Sequence, residues 1–295
     1  MILLIVVFFV LSNSKNTSSV DKAIFQIANL DKVDRITIQS FKEKIELKFN
    51  GMKWLVNGTN EADRQMITVL FAALKQVEAK RKVASSIQDS VKTEINKNGI
   101  KVSCYEGEAL AKEFWSEGNL LKSETYFQLS DGIPYVVTIP GYRVYVASVF
   151  EVPTNDWRDK RVFNFNWQNF KSLEAVFPAD QKQNFKISFQ NKFFGIEGIS
   201  ADTTKLNNFL DAVSLLRADR ILTDDQAKIY DSLTSHPPFE TITIQDIARH
   251  NFELKVFPMQ KGKSTVIAKK NEELIELNPV ALREIFRKRF FFKQQ

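Results

Sequence analysis

Cys104 is the one cysteine in this sequence, and its thiol is the side chain best suited to act as a nucleophile. A cysteine attacks as its thiolate, and it needs a histidine nearby to accept the proton. The two histidines are His236, in the turn-like sequence Ser-His-Pro-Pro, and His250, which precedes Asn251 at an expected hairpin. Cys104 alternates with Val102 along a predicted strand. We therefore interpret Cys104 as structural and both histidines as surface residues, and a hydrolase of unrecognised type stays open as a third hypothesis.

Two pairs of adjacent acids, Asp224-Asp225 and Glu272-Glu273, offer carboxylates for acid–base chemistry. The first pair stands where a helix is expected to begin, and acidic residues are favoured at the positive end of a helix dipole. The second pair lies in a lysine-rich hairpin, where solvation accounts for it. No two His or Cys residues stand at the spacing of zinc ligands. The sequence therefore predicts no catalytic residue, no metal site and no cofactor.

The net charge of +6 comes from 41 Lys and Arg against 35 Asp and Glu. Basic residues concentrate in Lys80-Arg81-Lys82 and in Arg287-Lys288-Arg289, beside apolar residues. Such patches can bind nucleic acid or anionic lipid. Here the surrounding charges are well mixed, and the first cluster is expected to close a helix, where cations suit the dipole. We predict no nucleic-acid partner.

The first eleven residues, MILLIVVFFVL, form an unbroken apolar run that is followed by a stretch rich in Ser, Asn and Thr. As a helix, this run covers roughly half of a ~30 Å hydrocarbon core. It is typical of the apolar part of a signal sequence, or of an anchor whose upstream half is missing. We assign residues 1–22 to a signal or anchor remnant and a polar linker, which predicts a periplasmic domain held at the cytoplasmic membrane. The alternative is a buried strand.

An internal duplication organises the remaining chain, which is long enough for two domains. Similar residues recur at a separation of 139 or 140 positions, as in Trp54 and Phe194, Leu70 and Phe209, and Val83 and Leu222. We expect an α+β fold with two tandem repeats, over residues 23–163 and 164–295. Each repeat is predicted to be an antiparallel sheet with a helix packed on one face.

Each repeat is predicted to begin with a strand, an alternating second strand, a turn and a third strand, before a long helix. In the first repeat we expect Asn60 to cap a helix that runs to about Glu78. In the second repeat Asn191-Lys192 is expected to make the turn. The last expected match pairs Arg158–Phe163 with Phe286–Phe291. Three consecutive phenylalanines near the end are expected in a final strand or against a partner.

Three stretches of the sequence carry a family resemblance. They are Gly51-x-x-Trp54-x-Val56 with the helix opening Ala62-Asp63, then Pro140-Gly141-Tyr142-x-Val144-Tyr145, and Trp157-Arg158-Asp159-Lys160-Arg161-Val162-Phe163. With the short apolar start, they resemble the bacterial family called domain of unknown function 4340. The resemblance implies a membrane-tethered extracytoplasmic protein associated with ABC-type transport systems, including those similar to gliding-motility exporters. No catalytic residue is known for the family, so none is carried over. The anchor is shorter than the family shows, and the second repeat lacks the Trp and the Arg-Asp pair, which suggests that the repeats are not equivalent binding units.

The stretch that joins the repeats holds most of the residues expected to contact a partner. We expect Trp157 to be buried between the repeats, Arg158 and Asp159 to form an ion pair, and Arg161 and Tyr142 to complete the set. The preferred hypothesis is a non-catalytic accessory protein that binds a membrane protein of a transport or envelope complex. The alternative is a saccharide, lipid or peptide ligand in a cleft between the repeats, stacked on Trp157 and Tyr142.

Overall fold

The chain divides into two compact units between Trp157 and Arg158. The computed structural model describes residues 20–165, 167–190 and 193–294. The division precedes the repeat boundary expected after Phe163. Most of the predicted signal or anchor segment and the predicted Asn191-Lys192 turn lie outside the described residues. Within the described residues, no helix combines the length and the apolar character that crossing a bilayer requires.

Unit 1 is an antiparallel sheet with two helices. Its strands are β1 (Arg35–Gln39), β2 (Lys44–Phe49), β3 (Trp54–Val56), β4 (Asn60–Glu61), β5 (Glu78–Lys82), β6 (Ile100–Glu106), β7 (Ala109–Gly118), β8 (Thr125–Gln128) and β9 (Pro134–Thr138). Its helices are α1 (Arg64–Gln76) and α2 (Ser85–Asn98). The strand order is β4-β3-β2-β1-β6-β7-β8-β9-β5, and every neighbouring pair is antiparallel.

Unit 2 is a second antiparallel sheet. Its strands are β10 (Phe170–Val176), β11 (Phe185–Gln190), β12 (Phe193–Ile196), β13 (Arg220–Ile221), β14 (Glu240–Asp246), β15 (Asn251–Val256), β16 (Val266–Lys270) and β17 (Glu273–Leu277). Its helices are α3 (Thr203–Leu215), α4 (Asp224–Ala227), α5 (Asp231–Thr234) and α6 (Pro279–Leu282). The strand order is β12-β11-β10-β14-β15-β16-β17-β13, again with antiparallel neighbours.

The two sheets share one topology. The order in unit 2 repeats the order β3-β2-β1-β6-β7-β8-β9-β5 of unit 1, strand for strand, and β4 is an additional edge strand of unit 1. The long helix follows the third repeated strand in both units, α1 in unit 1 and α3 in unit 2. The predicted α+β class and the predicted duplication are therefore confirmed.

The long helices begin in the same way, at Asp63 in unit 1 and Asp202 in unit 2. Each aspartate caps its helix by accepting hydrogen bonds from the backbone N–H groups two and three residues later. Each also donates its own backbone N–H to the carbonyl of a fully buried aromatic residue, Trp157 for Asp63 and Phe292 for Asp202. Trp157 and Phe292 each end a short 3-10 helix. The two aromatics are therefore equivalent residues of the two units.

This equivalence corrects the last predicted match. Because Trp157 corresponds to Phe292, Arg158–Phe163, which follows Trp157, does not correspond to Phe286–Phe291, which precedes Phe292. The three final phenylalanines lie in a 3-10 turn and not in a strand. Only Phe292 is fully buried, while Phe290 is largely exposed.

The predicted start and end of the first helix were also wrong. Asn60 does not cap it, because Asn60 and Glu61 pair with β3 as strand β4, and the helix begins after Asp63. The helix ends at Gln76, so Lys80-Arg81-Lys82 lies in β5 and not at a helix terminus. Cations on an edge strand discourage pairing with other chains, which gives this cluster a structural explanation.

Helices pack against both faces of the unit 1 sheet. Neighbouring residues of a strand point to opposite faces, and along β9 Tyr135 and Val137 enter the main core while Val136 enters a smaller core under α2. Unit 2 repeats this arrangement with a small cluster around Leu222, Phe257 and Ile267. The sequence had predicted that a helix covers one face of each sheet. In unit 1 the other face is also partly covered, because α2 is a full helix of 14 residues that packs there.

Candidate functional site

The segment that follows β9 in unit 1 is anchored by buried residues and exposes the Tyr142 side chain. Pro140 and Gly141 make a turn in which the Tyr142 N–H bonds the Ile139 carbonyl at 3.1 Å and Gly141 takes a φ of +81°. Further along, Val146 and Ala147 are buried, and the Ala147 N–H donates to the Thr125 hydroxyl at 3.1 Å. Tyr142 lies between these anchors with 63% of its surface exposed.

Three cavities of unit 1 meet at this segment. Tyr145 lines all three, and Tyr142 lines two of them. Their volumes are about 680, 440 and 380 Å³, within the range of ligand-binding cavities. We call the surface formed by Tyr142–Tyr145 and these cavities the tyrosine face.

The largest cavity lies between α2 and the end of β7, and we call it the acidic cavity. Its polar lining includes Glu94 from α2, Glu117 from β7, Lys122, Tyr145 and Glu151. Its apolar lining includes Ile87 of α2, with Leu120 and Leu121 on the turn between β7 and β8. Three carboxylates and one lysine give this cavity a net negative charge.

Glu151 holds two of the acidic-cavity side chains in place. One of its carboxylate oxygens accepts a hydrogen bond from the Tyr145 hydroxyl, and the other pairs with the Lys122 ammonium at 2.6 Å. Burial and this hydrogen bond, together with the charges of Glu151 and Glu117, raise the pKa of Tyr145 well above its ordinary value. The phenol therefore stays protonated and acts as a donor at neutral pH.

Glu117 is a carboxyl group of the acidic cavity whose pKa is changed by its surroundings. Burial raises its pKa, and the charges of Glu151 and Glu94 raise it further. The Gly118 N–H, which donates to the Glu117 carboxylate at 2.9 Å, and the charge of Lys122 act in the opposite direction. The pKa of Glu117 is raised overall because burial and the two neighbouring carboxylates outweigh these opposing effects.

The other two cavities differ in character. The 440 Å³ cavity is basic, because its lining includes Lys80, Lys122 and Arg143 against one carboxylate, Glu124. The 380 Å³ cavity is a groove between α1 and the segment after β9, with Val69, Ile139 and Val144 on its walls. The tyrosine face therefore presents acidic, basic and apolar regions side by side.

The profile of the family described as domain of unknown function (DUF4340) matches residues 54–232, which is more than half of the chain. The chain belongs to this family. The match includes most of unit 1, with the whole tyrosine face, and continues into unit 2. No curated protein and no solved structure matches the chain.

Of the residues predicted to contact a partner, Tyr142 lies on the tyrosine face of this DUF4340 chain and Trp157 does not. Trp157 is fully buried in the main core of unit 1, where its indole N–H donates to the Val152 carbonyl at 3.1 Å. Its ring consequently has no surface on which a ligand can stack. Its counterpart in unit 2, Phe292, is likewise fully buried.

The predicted Arg158–Asp159 ion pair is replaced by two others. Arg158 binds both carboxylate oxygens of Glu273, at 2.6 and 2.8 Å. Asp159 pairs with Arg161 at 2.7 Å. Lys270, whose pKa is lowered by burial, donates to the Arg161 carbonyl at 2.9 Å. These bonds fix the start of unit 2 to its β16–β17 hairpin.

The candidate nucleophile belongs to unit 1 and its two candidate bases belong to unit 2. Cys104 is fully buried in the main core of unit 1, and burial raises its pKa to about 12. His236 is exposed beside the Ser232 carbonyl of unit 2, and His250 pairs with Asp246 at 2.9 Å. Cys104 is therefore a protonated core thiol. Among the described residues, no group of three His, Cys, Asp or Glu is arranged to hold a metal ion.

Proposed function

We propose that this chain is a non-catalytic accessory protein, tethered at the outer face of the cytoplasmic membrane, that binds a partner protein of a transport or envelope complex through the tyrosine face of unit 1. The supporting observation is the convergence of three cavities on Tyr142–Tyr145. A concave surface with apolar and charged regions, built on a buried base, is what a recognition site for another protein requires.

The exposure pattern of the segment also supports binding. Tyr142 and Val144 are 63% and 51% exposed, although the chain on either side is anchored. Tyrosine offers a large contact area with little conformational freedom to lose, and it is enriched where proteins bind one another. The alternative explanation, a loosely packed loop, does not account for the buried Val146–Val149 turn that follows.

The membrane part of the proposal rests on the sequence. The apolar run Met1–Leu11 is typical of export or anchoring, and the family resemblance implies an association with ABC-type transport systems. The non-catalytic part is supported by Cys104, because a thiol with a pKa of about 12 supplies no nucleophile at neutral pH.

Site-specific photocrosslinking in native membranes tests this function. A photoreactive amino acid replaces Tyr142 in one full-length variant and Met52, which is highly exposed on another turn of unit 1, in the control. We expect both variants in the membrane fraction, with a crosslinked transport or envelope protein only for position 142. Recovery of the chain in the soluble cytosolic fraction, or the same adducts from both positions, would contradict the proposal.

A further inference from the structure

We propose that the acidic cavity binds one basic side chain, flanked by apolar residues, from an extended segment of the partner protein. The inference rests on the proposed function, because it specifies what the tyrosine face recognises.

The charges of the cavity are unbalanced in a way that a bound cation would correct. Lys122 is engaged with Glu151 at 2.6 Å. Among the described residues, no Lys or Arg forms an ion pair with Glu94 or Glu117 at contact distance. Glu94 accepts from the Asn98 amide at 3.0 Å, and Glu117 accepts from the Gly118 N–H. Each of these two carboxylates therefore keeps acceptor positions for an ammonium or guanidinium group.

The partly buried position of Glu117 makes such a cation more effective. An ion pair gains strength as water is excluded from around it. The pKa of Glu117 is raised by burial and by the neighbouring carboxylates, so ionised Glu117 is poorly stabilised in the free protein. A cation placed between Glu94 and Glu117 would remove that repulsion.

The rim of the cavity complements the remainder of such a segment. Leu120 and Leu121 are almost completely exposed at the tip of the β7–β8 turn. This turn is held in one shape, because the Asn119 side chain accepts from the backbone N–H groups of Ser123 and Glu124. Ile87 of α2 also lines the cavity. An apolar rim over a charged floor fits the alkyl stem of a basic residue and the apolar residues beside it.

Two peptides of matched shape test the inference on the purified full-length chain. The first is acetyl-Gly-Leu-Lys-Leu-Gly-amide, and in the second norleucine replaces the lysine, so that the ammonium is lost and the alkyl stem is kept. Isothermal titration calorimetry measures both dissociation constants. We expect the lysine peptide to bind at least about tenfold more tightly, the effect of a charge-assisted hydrogen bond.

Three variants test whether the preference for the lysine peptide depends on the carboxylates of the acidic cavity. Glu117→Gln and Glu94→Gln should each remove most of the preference for lysine, because glutamine keeps the shape and loses the charge. Glu108→Gln is the control, since Glu108 lies on the β6–β7 turn with a fully exposed side chain. Circular dichroism checks that each variant is folded. Affinity for the lysine peptide should also fall as the pH falls through the raised pKa of Glu117, since protonation removes the charge that the ligand needs.

Equal binding of the two peptides, binding of neither, or unchanged selectivity in both glutamine variants would overturn the inference. Each of these results leaves the proposed function intact if position 142 still captures its partner. A selective peptide site without any crosslinked partner would instead contradict the proposed function alone.

Discussion

At the scale of single residues, Tyr145 leaves no room for a side chain at Gly118. A Cβ atom added to Gly118 would lie 1.9 Å from the Tyr145 hydroxyl oxygen and 2.6 Å from two carbons of the ring. To avoid these contacts Tyr145 would have to move its ring, and its hydroxyl is hydrogen-bonded to Glu151. Glycine at this position is what allows the tyrosine to lie across the floor of the acidic cavity.

Gly118→Ala should therefore destabilise unit 1 and displace Tyr145. Overpacking of this kind typically costs about 1–3 kcal/mol, which urea denaturation would measure as a lower free energy of unfolding. The alanine should cost much less when Tyr145→Ala is already present, because the clash is then absent. An equal cost in both backgrounds would show that Gly118 is required for a reason unrelated to Tyr145.

At the scale of secondary structure, each unit begins its long helix with the dipeptide Ala-Asp, at Asp63 and at Asp202. Each carboxylate accepts two backbone N–H groups that the helix itself cannot satisfy. The 3-10 turn near the end of each unit, Thr154–Trp157 or Arg289–Phe292, accepts the backbone N–H of the same aspartate. The cap therefore links the helix to the end of its own unit.

Asp63→Ala and Asp202→Ala should each lower the free energy of unfolding by about 0.5–2 kcal/mol, the usual value of a helix cap. Asparagine at either position keeps the acceptor and should restore most of the loss. Asp211→Ala, at an exposed position within α3, should change stability by less than about 0.5 kcal/mol. Thermal and urea denaturation measure all of these, and losses as large for Asp211→Ala as for the caps would contradict the capping role.

The sequence predicted the elements that repeat better than those that occur once. The offset of 139 or 140 residues found the strands and long helices of both units, because alternation and helical spacing are local patterns. The short strand β4 and the end of α1 were missed. Asn60 is a good helix cap by residue type, and only its pairing with β3 reveals that it belongs to the sheet.

The site was less predictable because its side chains meet only in the folded unit. Tyr142 was found from the motif Pro140–Tyr145, which is local. Glu94, Glu117 and Glu151 come from α2, from the end of β7 and from the segment before the Thr154–Trp157 turn, and no spacing in the sequence joins them. Trp157 was expected to be buried between the repeats, and it is fully buried in the main core of unit 1. The 3-10 turn that it ends is bonded to the start of α1, because its carbonyl accepts the Asp63 N–H.

At the scale of the whole molecule, the duplication allows equivalent positions of the two units to be compared, and one core position differs in residue type. Starting from the sequence match of Trp54 with Phe194, the strand registers equate Ile100 of β6 with Glu240 of β14. Ile100 packs against the main core of unit 1. Glu240 is fully buried, and neither of its carboxylate oxygens has a hydrogen-bond partner among the described residues. Burial accordingly raises its pKa from 4.5 to about 8.

Glu240→Ile should stabilise the chain by an amount that grows with pH. A carboxyl group whose pKa is raised in the folded state has no effect below the unfolded pKa of about 4.5, and it destabilises progressively as the pH rises towards 8. At pH 7 the difference is about 3 kcal/mol from the shift alone. Urea denaturation of wild type and variant at a series of pH values measures it, and Glu240→Gln separates the loss of charge from the gain in apolar packing. A difference that is the same at pH 5 and pH 8 would show that Glu240 reaches water or a cation when it ionises, because only a carboxylate kept from both destabilises the fold in this pH-dependent way.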